Sequence, residues 1–437
     1  MSEGYEYRGT ARAILKEGAH VGDVVKITRR DETFEGALMP RYELADDEHI
    51  VIKLRNGYNI GIKLSPDLKI EKIGLGAKPT FASQTYIGKK EELPTIVIIS
   101  TGGTIASRVD YRTGAVRPAL TTNDLLTVVP RLAEIANLQT EVIFTLLSEN
   151  IYALHWTEIV KTVAKYIDQN VEGVVICHGT DTLAYTSAAL SFALQNLPVP
   201  VILVGSQRSS DRPSSDAAFN LVNAVQAAAH APISEVMVGM HETISDDAMV
   251  LHRGTKVRKL HTSRRDAFRS VNSSPLARIQ REEITLLTAD YQKKDQKRRL
   301  VMKPFFNQKA ALVKFYPGLD PKVIEWYVQE GYRGLIFEGT GLGHLSSDCF
   351  SSVQKAIDSG MFLGMCSQCV HGRVNMKVYD TGRYLYRIGV TPLEDMLPET
   401  AFVKLSWILA QTTDLNEVKK VMQTNLVGEI DSRSIYD

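Results

Sequence analysis

Two hydrophobic patterns divide the chain, and the first covers its N-terminal part. Short segments rich in β-branched residues alternate there with polar ones, and Asn56-Gly57 between two of them suits a tight hairpin turn. The pattern predicts a small antiparallel β-barrel over residues 1–80. A linker follows over residues 81–94, where Pro, Gly and charged residues replace the periodicity. The predicted strands are residues 24–28, 33–39, 49–54 and 58–64.

After residue 94 the pattern changes to continuous apolar strands separated by amphipathic helices. Strands that are apolar on both faces are typical of parallel sheets covered by helices on each side. We therefore predict an α/β body of parallel sheets. A charged, strand-poor passage at about 280–303 divides it into a larger domain, 95–304, and a smaller one, 305–437. The predicted strands are 95–100, 173–178, 199–205, 235–240, 311–318, 332–341 and 361–368, and the predicted helices include 156–170, 182–195, 214–230 and the sequence after Pro398.

Composition and charge exclude several classes of protein. The 437 residues include 51 Lys and Arg against 50 Asp and Glu, so the whole molecule is not expected to be drawn to nucleic acid or to an anionic membrane. Four cysteines in a chain of this length do not make a disulfide framework. No apolar run approaches the roughly 18 residues of a transmembrane helix, and the opening residues lack the apolar core of a secretory signal. We predict a cytoplasmic protein without membrane contact.

The charge is unevenly distributed along the chain. Residues 253–303 contain 15 Lys and Arg against 5 Asp and Glu. Such a segment is either a solvated or interface surface, or a contact for tRNA phosphates or an acidic partner. The sequence leaves both interpretations open.

Two loops carry candidate chemistry. One predicted strand ends in Thr-Gly-Gly-Thr at residues 101–104, and another ends in His-Gly-Thr-Asp-Thr at residues 178–182. Ligands of open parallel sheets bind beyond the carboxyl ends of the strands, where paired glycines expose backbone N–H groups and threonines add hydroxyls. Each loop also has a purely structural interpretation. The first would be a tight strand-to-helix turn, and Asp181 in the second would cap the following helix.

The motifs in these loops resemble those of the L-asparaginase family. TGGTIA at 101–106 and HGTDT at 178–182 are similar to its two signature motifs, in the same order. Residues 204–225 resemble the segment after its third strand, and residues 389–410 resemble its C-terminal helix. The resemblance implies an asparaginase-like two-domain body and hydrolysis of a free amide amino acid, Gln or Asn.

Three further segments resemble the D subunits of archaeal glutamyl-tRNA(Gln) amidotransferases: NGYNIG at 56–61, residues 253–270, and EGTGLGH at 338–344. This likeness implies that the chain supplies ammonia to a partner, the amidotransferase E subunit, which converts Glu-tRNA(Gln) to Gln-tRNA(Gln) and binds most of the tRNA. It also implies a homodimer through the asparaginase-like body, in an α2β2 assembly. ATP and Mg²⁺ would belong to the partner, and no cofactor to this chain. The alternative is a free cytosolic L-asparaginase with an accessory N-terminal domain.

The asparaginase resemblance also assigns site residues. It makes Thr104 the nucleophile, activated by Tyr111 or by Lys259 acting through Thr180, with Asp181 beside them. The residues implied in substrate binding are Gly103, Ser148, Glu149 and Gly179.

Metal and redox chemistry are not expected. His178 lies next to Cys177, but no further ligands follow at zinc-like spacing. Cys366 and Cys369 form a C-x-x-C motif without a second half, so we interpret them as small apolar residues at the end of a strand.

Overall fold

The computed structural model describes residues 18–39, 46–54, 59–74, 90–102, 107–109, 116–118, 125–126, 129–208 and 215–435. The predicted Asn56-Gly57 turn lies outside these residues.

The N-terminal unit is an antiparallel sheet of five strands in the order β4-β3-β2-β1-β5. Its apolar face packs around the fully buried side chains of Val25, Ile27 and Ile50. The pattern predicted four of these strands and missed β5. That strand carries lysines and a glutamate at exposed positions and therefore lacks an apolar signature. The strands are β1 (Val24–Arg29), β2 (Glu32–Leu38), β3 (His49–Lys53), β4 (Asn59–Lys63) and β5 (Lys69–Gly74).

The next part of the chain builds an eight-stranded sheet in the order β18-β17-β14-β13-β12-β10-β6-β9. Three short two-stranded ribbons, β7-β8, β11-β19 and β15-β16, accompany it. The strands are β6 (Thr95–Ser100), β7 (Ser107–Val109), β8 (Val116–Pro118), β9 (Asn137–Val142), β10 (Gly173–Cys177), β11 (Leu194–Gln195), β12 (Val201–Val204), β13 (Val236–His241), β14 (Ala248–Arg253), β15 (Val257–Lys259), β16 (Phe268–Ser270), β17 (Ala277–Gln280), β18 (Glu283–Leu286) and β19 (Val301–Met302).

The predicted parallel strands form the centre of this large sheet, and antiparallel strands extend it on one side. Strands β9, β6, β10, β12 and β13 are parallel, whereas β14, β17 and β18 extend the sheet in antiparallel fashion. The outer two of these strands carry charged residues, Arg278 in β17 and the exposed Glu283 in the edge strand β18. Polar edge strands of this kind protect a sheet from pairing with other chains, and they leave no continuous apolar run for a pattern to detect.

Helices cover both faces of the large sheet. One apolar core holds α2, α3 and α8, and a second, on the opposite face, holds α1 and α4. The predicted helix at 156–170 begins three residues earlier than expected, at Ala153. The helices are α1 (Leu132–Ile135), α2 (Ala153–Asp168), α3 (Leu183–Ala193), α4 (Ala217–His230), α5 (Lys322–Gln329), α6 (Phe350–Asp358), α7 (Asp380–Ile388), α8 (Pro398–Leu409) and α9 (Leu415–Met422).

The C-terminal unit is a parallel sheet of four strands, β20-β21-β22-β23, with its own core. Helix α8 joins this unit to the large sheet, since Leu405 and Trp407 share a core with Phe192 of α3. The strands are β20 (Ala310–Lys314), β21 (Gly334–Gly339), β22 (Phe362–Ser367) and β23 (Thr391–Pro392).

Two fully buried lysines hold the segment after α9 against the body. Lys404 donates to the carboxylate of Glu429 at 2.5 Å and to the carbonyl of Thr424 at 2.6 Å. Lys256 pairs with Asp395 at 2.6 Å and with Asp431 at 3.2 Å. Burial lowers the pKa of Lys404, and the Glu429 carboxylate opposes that shift. Lys404 therefore depends on the Glu429 carboxylate to remain charged inside the protein.

We expect the Glu429→Ala variant to lose about 3–5 kcal/mol of stability, because it leaves the ammonium of Lys404 buried without its carboxylate. Urea denaturation monitored by circular dichroism measures this loss. The control is Glu325→Ala, which removes the partner of the exposed Lys355; it should cost less than about 1 kcal/mol. Equal losses in the two variants would contradict the interpretation.

Candidate functional site

The two candidate loops leave neighbouring parallel strands at the same edge of the large sheet. Ser100, the last residue of β6, lies opposite Cys177, the last residue of β10. The buried Thr101 ties the loops together, because its N–H and its hydroxyl both donate to the carbonyl of Cys177, at 3.0 and 3.1 Å. The carboxyl edge expected from the strand pattern therefore exists, with both loops at one point.

The first loop turns sharply at Gly102. The φ of this residue is +122°, and an added Cβ would overlap the carbonyl oxygen of Leu146. Only glycine fits this position, because a side chain would be strained and would clash with backbone. Gly103, Thr104 and Tyr111 lie outside the residues that the structure describes.

The second loop lies against the turn that contains Ser148. A Cβ on Gly179 would lie only 2.8 Å from the Cβ of Ser148 and 2.9 Å from its hydroxyl. The Thr182 hydroxyl donates to the Ser148 carbonyl at 2.6 Å, which fixes this buried residue. Glu149 follows in the same 3-10 turn and is exposed. The structure thus brings Ser148, Glu149 and Gly179 together.

Lys259 reaches this loop from the ribbon β15-β16. Its Nζ donates to the hydroxyl of Thr180 at 2.9 Å and to the carboxylate of Asp181 at 2.8 Å. The Lys259 side chain is 14% exposed and that of Asp181 is 70% exposed. An ion pair with one exposed member contributes roughly 0.2–1 kcal/mol, so its main effect is to orient the amine.

The helix-capping interpretation of Asp181 is wrong. Helix α3 begins at Leu183, and its N-cap residue is Thr182. The Asp181 carboxylate points instead to Lys259. Of the five residues assigned to catalysis, the three within the described chain form one hydrogen-bonded group: Thr180, Asp181 and Lys259.

Hydrogen bonds of the His178 ring hold the second loop in place. Its Nδ1 lies 2.7 Å from the carbonyl of Gly179 and its Nε2 lies 2.9 Å from the hydroxyl of Thr186. A carbonyl only accepts, so Nδ1 carries the proton and Thr186 donates to Nε2. Thr186 in turn accepts from the indole N–H of Trp156 at 3.2 Å. This chain of hydrogen bonds connects the loop to helices α2 and α3.

Comparison with known proteins gives the family. Residues 19–73 match the GatD N-terminal domain, residues 95–292 the asparaginase N-terminal domain, and residues 309–422 the glutaminase/asparaginase C-terminal domain. The glutamyl-tRNA(Gln) amidotransferase D subunit of Methanopyrus kandleri is 49% identical over 98% of this chain and 95% of its own length. The D subunit of Pyrococcus furiosus is 50% identical over 95% of this chain and 96% of its own. The chain belongs to the family of glutamyl-tRNA(Gln) amidotransferase D subunits.

Solved structures show the fold that this D-subunit family member shares with asparaginases. The thermostable L-asparaginase from Thermococcus kodakarensis is 31% identical, with a TM-score of 0.69, and aligns with 77% of this chain and 99% of its own. L-asparaginase I from Vibrio cholerae is 30% identical, with a TM-score of 0.68, over 78% of this chain and 99% of its own. The predicted family and the asparaginase-like α/β fold class are confirmed.

The two cysteines of the C-x-x-C motif lie in different surroundings, which corrects the interpretation of both as apolar residues at the end of a strand. Cys366 is fully buried in β22, and burial raises the pKa of its thiol well above the ordinary value, whereas Cys369 is exposed. Within the described ranges, no group of three or more His, Cys, Asp and Glu side chains is arranged to hold a metal ion. None of the helices in the described chain is long and apolar enough to span a membrane.

Sequence reasoning missed the supporting residues of the site. Thr182 and Thr186 are four residues apart at the start of α3, which places them one helical turn apart. That spacing was the available signal, but nothing in it indicates that Trp156, from another helix, completes the chain of hydrogen bonds.

Burial of His178 makes stability depend on pH. Burial lowers the pKa of its imidazole to about 4, from an ordinary value of 6.5. The unfolded chain therefore takes up a proton between these values that the folded chain does not. We expect the free energy of unfolding to fall as the pH drops from about 6.5 to about 4, by roughly 3 kcal/mol for this group, since one pKa unit corresponds to about 1.4 kcal/mol.

Urea denaturation over this pH range measures the effect. The His178→Gln variant should be less stable than the wild type at pH 7 but should lose less stability on acidification. The exposed His230 is the control, and His230→Gln should follow the wild-type pH dependence. Parallel curves for the wild type and His178→Gln would show that this histidine does not titrate as described.

Proposed function

We propose that the chain is the ammonia-producing component of a tRNA-dependent amidotransferase. It hydrolyses the side-chain amide of free Gln or Asn, and a partner E subunit uses the ammonia to convert Glu-tRNA(Gln) to Gln-tRNA(Gln). The observation that carries the proposal is the amine of Lys259 bonded to Thr180 and Asp181 at the carboxyl edge of the large sheet. The full-length likeness to amidotransferase D subunits supports the tRNA-dependent part.

The proposed reaction passes through an acyl-enzyme. Thr104 attacks the amide carbon while its proton passes to Tyr111, or to Lys259 through the Thr180 hydroxyl. The tetrahedral oxyanion is stabilised by N–H groups of the glycine loop, which contains Gly103. The base then gives the proton to the amide nitrogen, the C–N bond breaks, and ammonia leaves. Water then hydrolyses the ester on Thr104, releasing Glu or Asp and restoring the hydroxyl.

The arrangement of the second loop supports this assignment. The hydrogen bond between Lys259 Nζ and the Thr180 hydroxyl joins the two groups through which the proton of Thr104 would pass. The exposed carboxylate of Glu149 has the charge needed to bind the α-amino group of an amino acid. Ser148 and Gly179, in contact beside it, are assigned to the α-carboxylate.

The distribution of ion pairs supports binding of tRNA mainly through the partner. Eight of the 15 cationic residues in 253–303 lie within 4.0 Å of a carboxylate. Most of these carboxylates belong to residues outside the segment. The unpaired positive charge is therefore smaller than the sequence count suggested. In this proposal, ATP and Mg²⁺ are bound by the E subunit. Two copies of this chain associate through their asparaginase-like bodies in an α2β2 assembly.

Release of ammonia from glutamine and from asparagine, measured with and without the E subunit and Glu-tRNA(Gln), tests the proposal. We expect slow hydrolysis by the isolated chain and strong stimulation by the partner with charged tRNA. Fast hydrolysis whose rate does not change when the E subunit and Glu-tRNA(Gln) are added would instead indicate a free L-asparaginase with an accessory domain.

The Thr104→Val variant should lose ammonia release from either amide, because valine keeps the shape of threonine but lacks the hydroxyl. Free ammonia should still support amidation through the partner, since that step does not use the nucleophile. Thr285→Val, on the edge strand β18, is the matched control and should retain activity. Normal glutamine turnover by Thr104→Val would show that the nucleophile is another residue.

The Lys259→Met variant should lower kcat by about 100-fold or more, the usual contribution of a positioned acid or base, with a smaller change in KM. Steady-state kinetics of ammonia release measure both constants. An increase in KM with kcat unchanged would assign Lys259 to substrate binding alone.

A further inference from the structure

The ribbon that carries Lys259 is bound on its other face to the C-terminal unit. Successive side chains of a strand point to opposite faces. Lys259 contacts the second loop, whereas the preceding Arg258 pairs with Glu399 at 2.9 Å and lies 3.9 Å from Glu338. Adjacent residues of β15 thus connect two separate parts of the protein.

The carboxylates that hold Arg258 lie at two ordered positions of the C-terminal unit. Glu338 is the penultimate residue of β21, and Glu399 is in the first turn of α8. Their side chains are 9% and 12% exposed. Lys314, at the end of β20, lies 3.7 Å from the other oxygen of Glu338.

Arg258 compensates a charge that burial disfavours. Burial raises the pKa of Glu399, and the guanidinium of Arg258 acts in the opposite direction. The second oxygen of Glu399 is buried and has no hydrogen-bond partner within the described chain. The neighbouring Tyr185 stays neutral, since burial and the nearby carboxylates raise its pKa to about 12. Arg258 is therefore the main partner of Glu399 and not one of several.

The ribbon needs such an anchor. It contains only three residue pairs, from Val257 with Ser270 to Lys259 with Phe268. A two-stranded ribbon of this length has little stability of its own. Val257 and Phe268 pack in the main apolar core, and Arg258 adds an ion pair with Glu399 of the C-terminal unit.

We infer that the Arg258–Glu399 ion pair positions Lys259 for the reaction, so that the C-terminal unit sets the placement of the site amine. Arg258 is a positioning residue, since it contacts the C-terminal unit and not the hydroxyl or carboxylate that Lys259 binds. This inference depends on the proposed role of Lys259 in ammonia release.

Kinetics of ammonia release by the full chain with its partner test the inference. Arg258→Met and Glu399→Gln should each lower kcat by about tenfold with KM within about twofold, because displacement of a reacting group by a fraction of an ångström weakens the chemical step. Arg258→Lys, which keeps the charge, should lose less than Arg258→Met. The double variant Arg258→Met/Glu399→Gln should be no slower than Arg258→Met, since both changes remove the same contact.

Arg373→Met is the matched control. Arg373 is similarly exposed and also lies near two carboxylates of the C-terminal unit, Glu394 at 3.5 Å and Asp395 at 3.9 Å, and its hydrogen bonds and ion pairs within the described chain are made outside β15 and β16. It should lower thermal stability without changing kcat or the pH profile of kcat. The inference is overturned if Arg258→Met keeps kcat and its pH profile within about twofold of the wild type, or if Arg373→Met loses as much.

A second measurement separates this inference from the proposed function. Acetic anhydride labelling followed by peptide mass spectrometry gives the rate at which Lys259 is acetylated, whether or not the chain releases ammonia. The rate should rise measurably in Arg258→Met and in Glu399→Gln, and remain at the wild-type value in Arg373→Met. Unchanged labelling in all variants would refute the positioning role even if ammonia release is normal. If Lys259 is labelled faster in Arg258→Met and Glu399→Gln while the wild-type chain releases no ammonia, the positioning role of Arg258 is supported and the proposed function is refuted.

Discussion

The parallel pairing of β6 with β10 is the contact on which the candidate site depends. It brings two loops that are far apart in the sequence to one edge of the large sheet. Thr101 reinforces the pairing just beyond the last pair of the ladder, and the close contact between Gly179 and Ser148 brings in a third segment. Small residues at these points allow backbones to meet without side chains between them.

Above this edge, charge compensation decides where the ribbon with Lys259 lies. Lys259 faces a hydroxyl and an exposed carboxylate, whereas Arg258 faces two buried carboxylates of the C-terminal unit. A buried carboxylate keeps its charge only beside a cation, so the ribbon and the C-terminal unit are coupled electrostatically. Eight of the 15 cations of residues 253–303 form ion pairs, so the charge counted along the sequence overstates what is free at the surface.

Most of the body was predictable because its parallel strands are apolar on both faces. The strand predicted at 95–100 coincides with β6, and β10 differs from its prediction by one residue. The antiparallel strands β17 and β18 and the N-terminal β5 escaped detection, since their charged residues interrupt the apolar pattern. Motifs indicated Thr180, Asp181 and Lys259. The local sequence does not show which side chains from distant parts of the chain form hydrogen bonds or ion pairs that hold them in place. The roles of Trp156 and Arg258 therefore emerged only from the three-dimensional contacts.

The two buried lysines have a consequence for how the protein is made. Lys404 is synthesised before Glu429, the carboxylate that pairs with it, and Lys256 before Asp431, the second of its two carboxylates. Until Glu429 is in place, closing the body would trap the ammonium of Lys404 in an apolar interior. This junction is therefore expected to close late in folding, after the segment that carries Glu429 and Asp431 has docked.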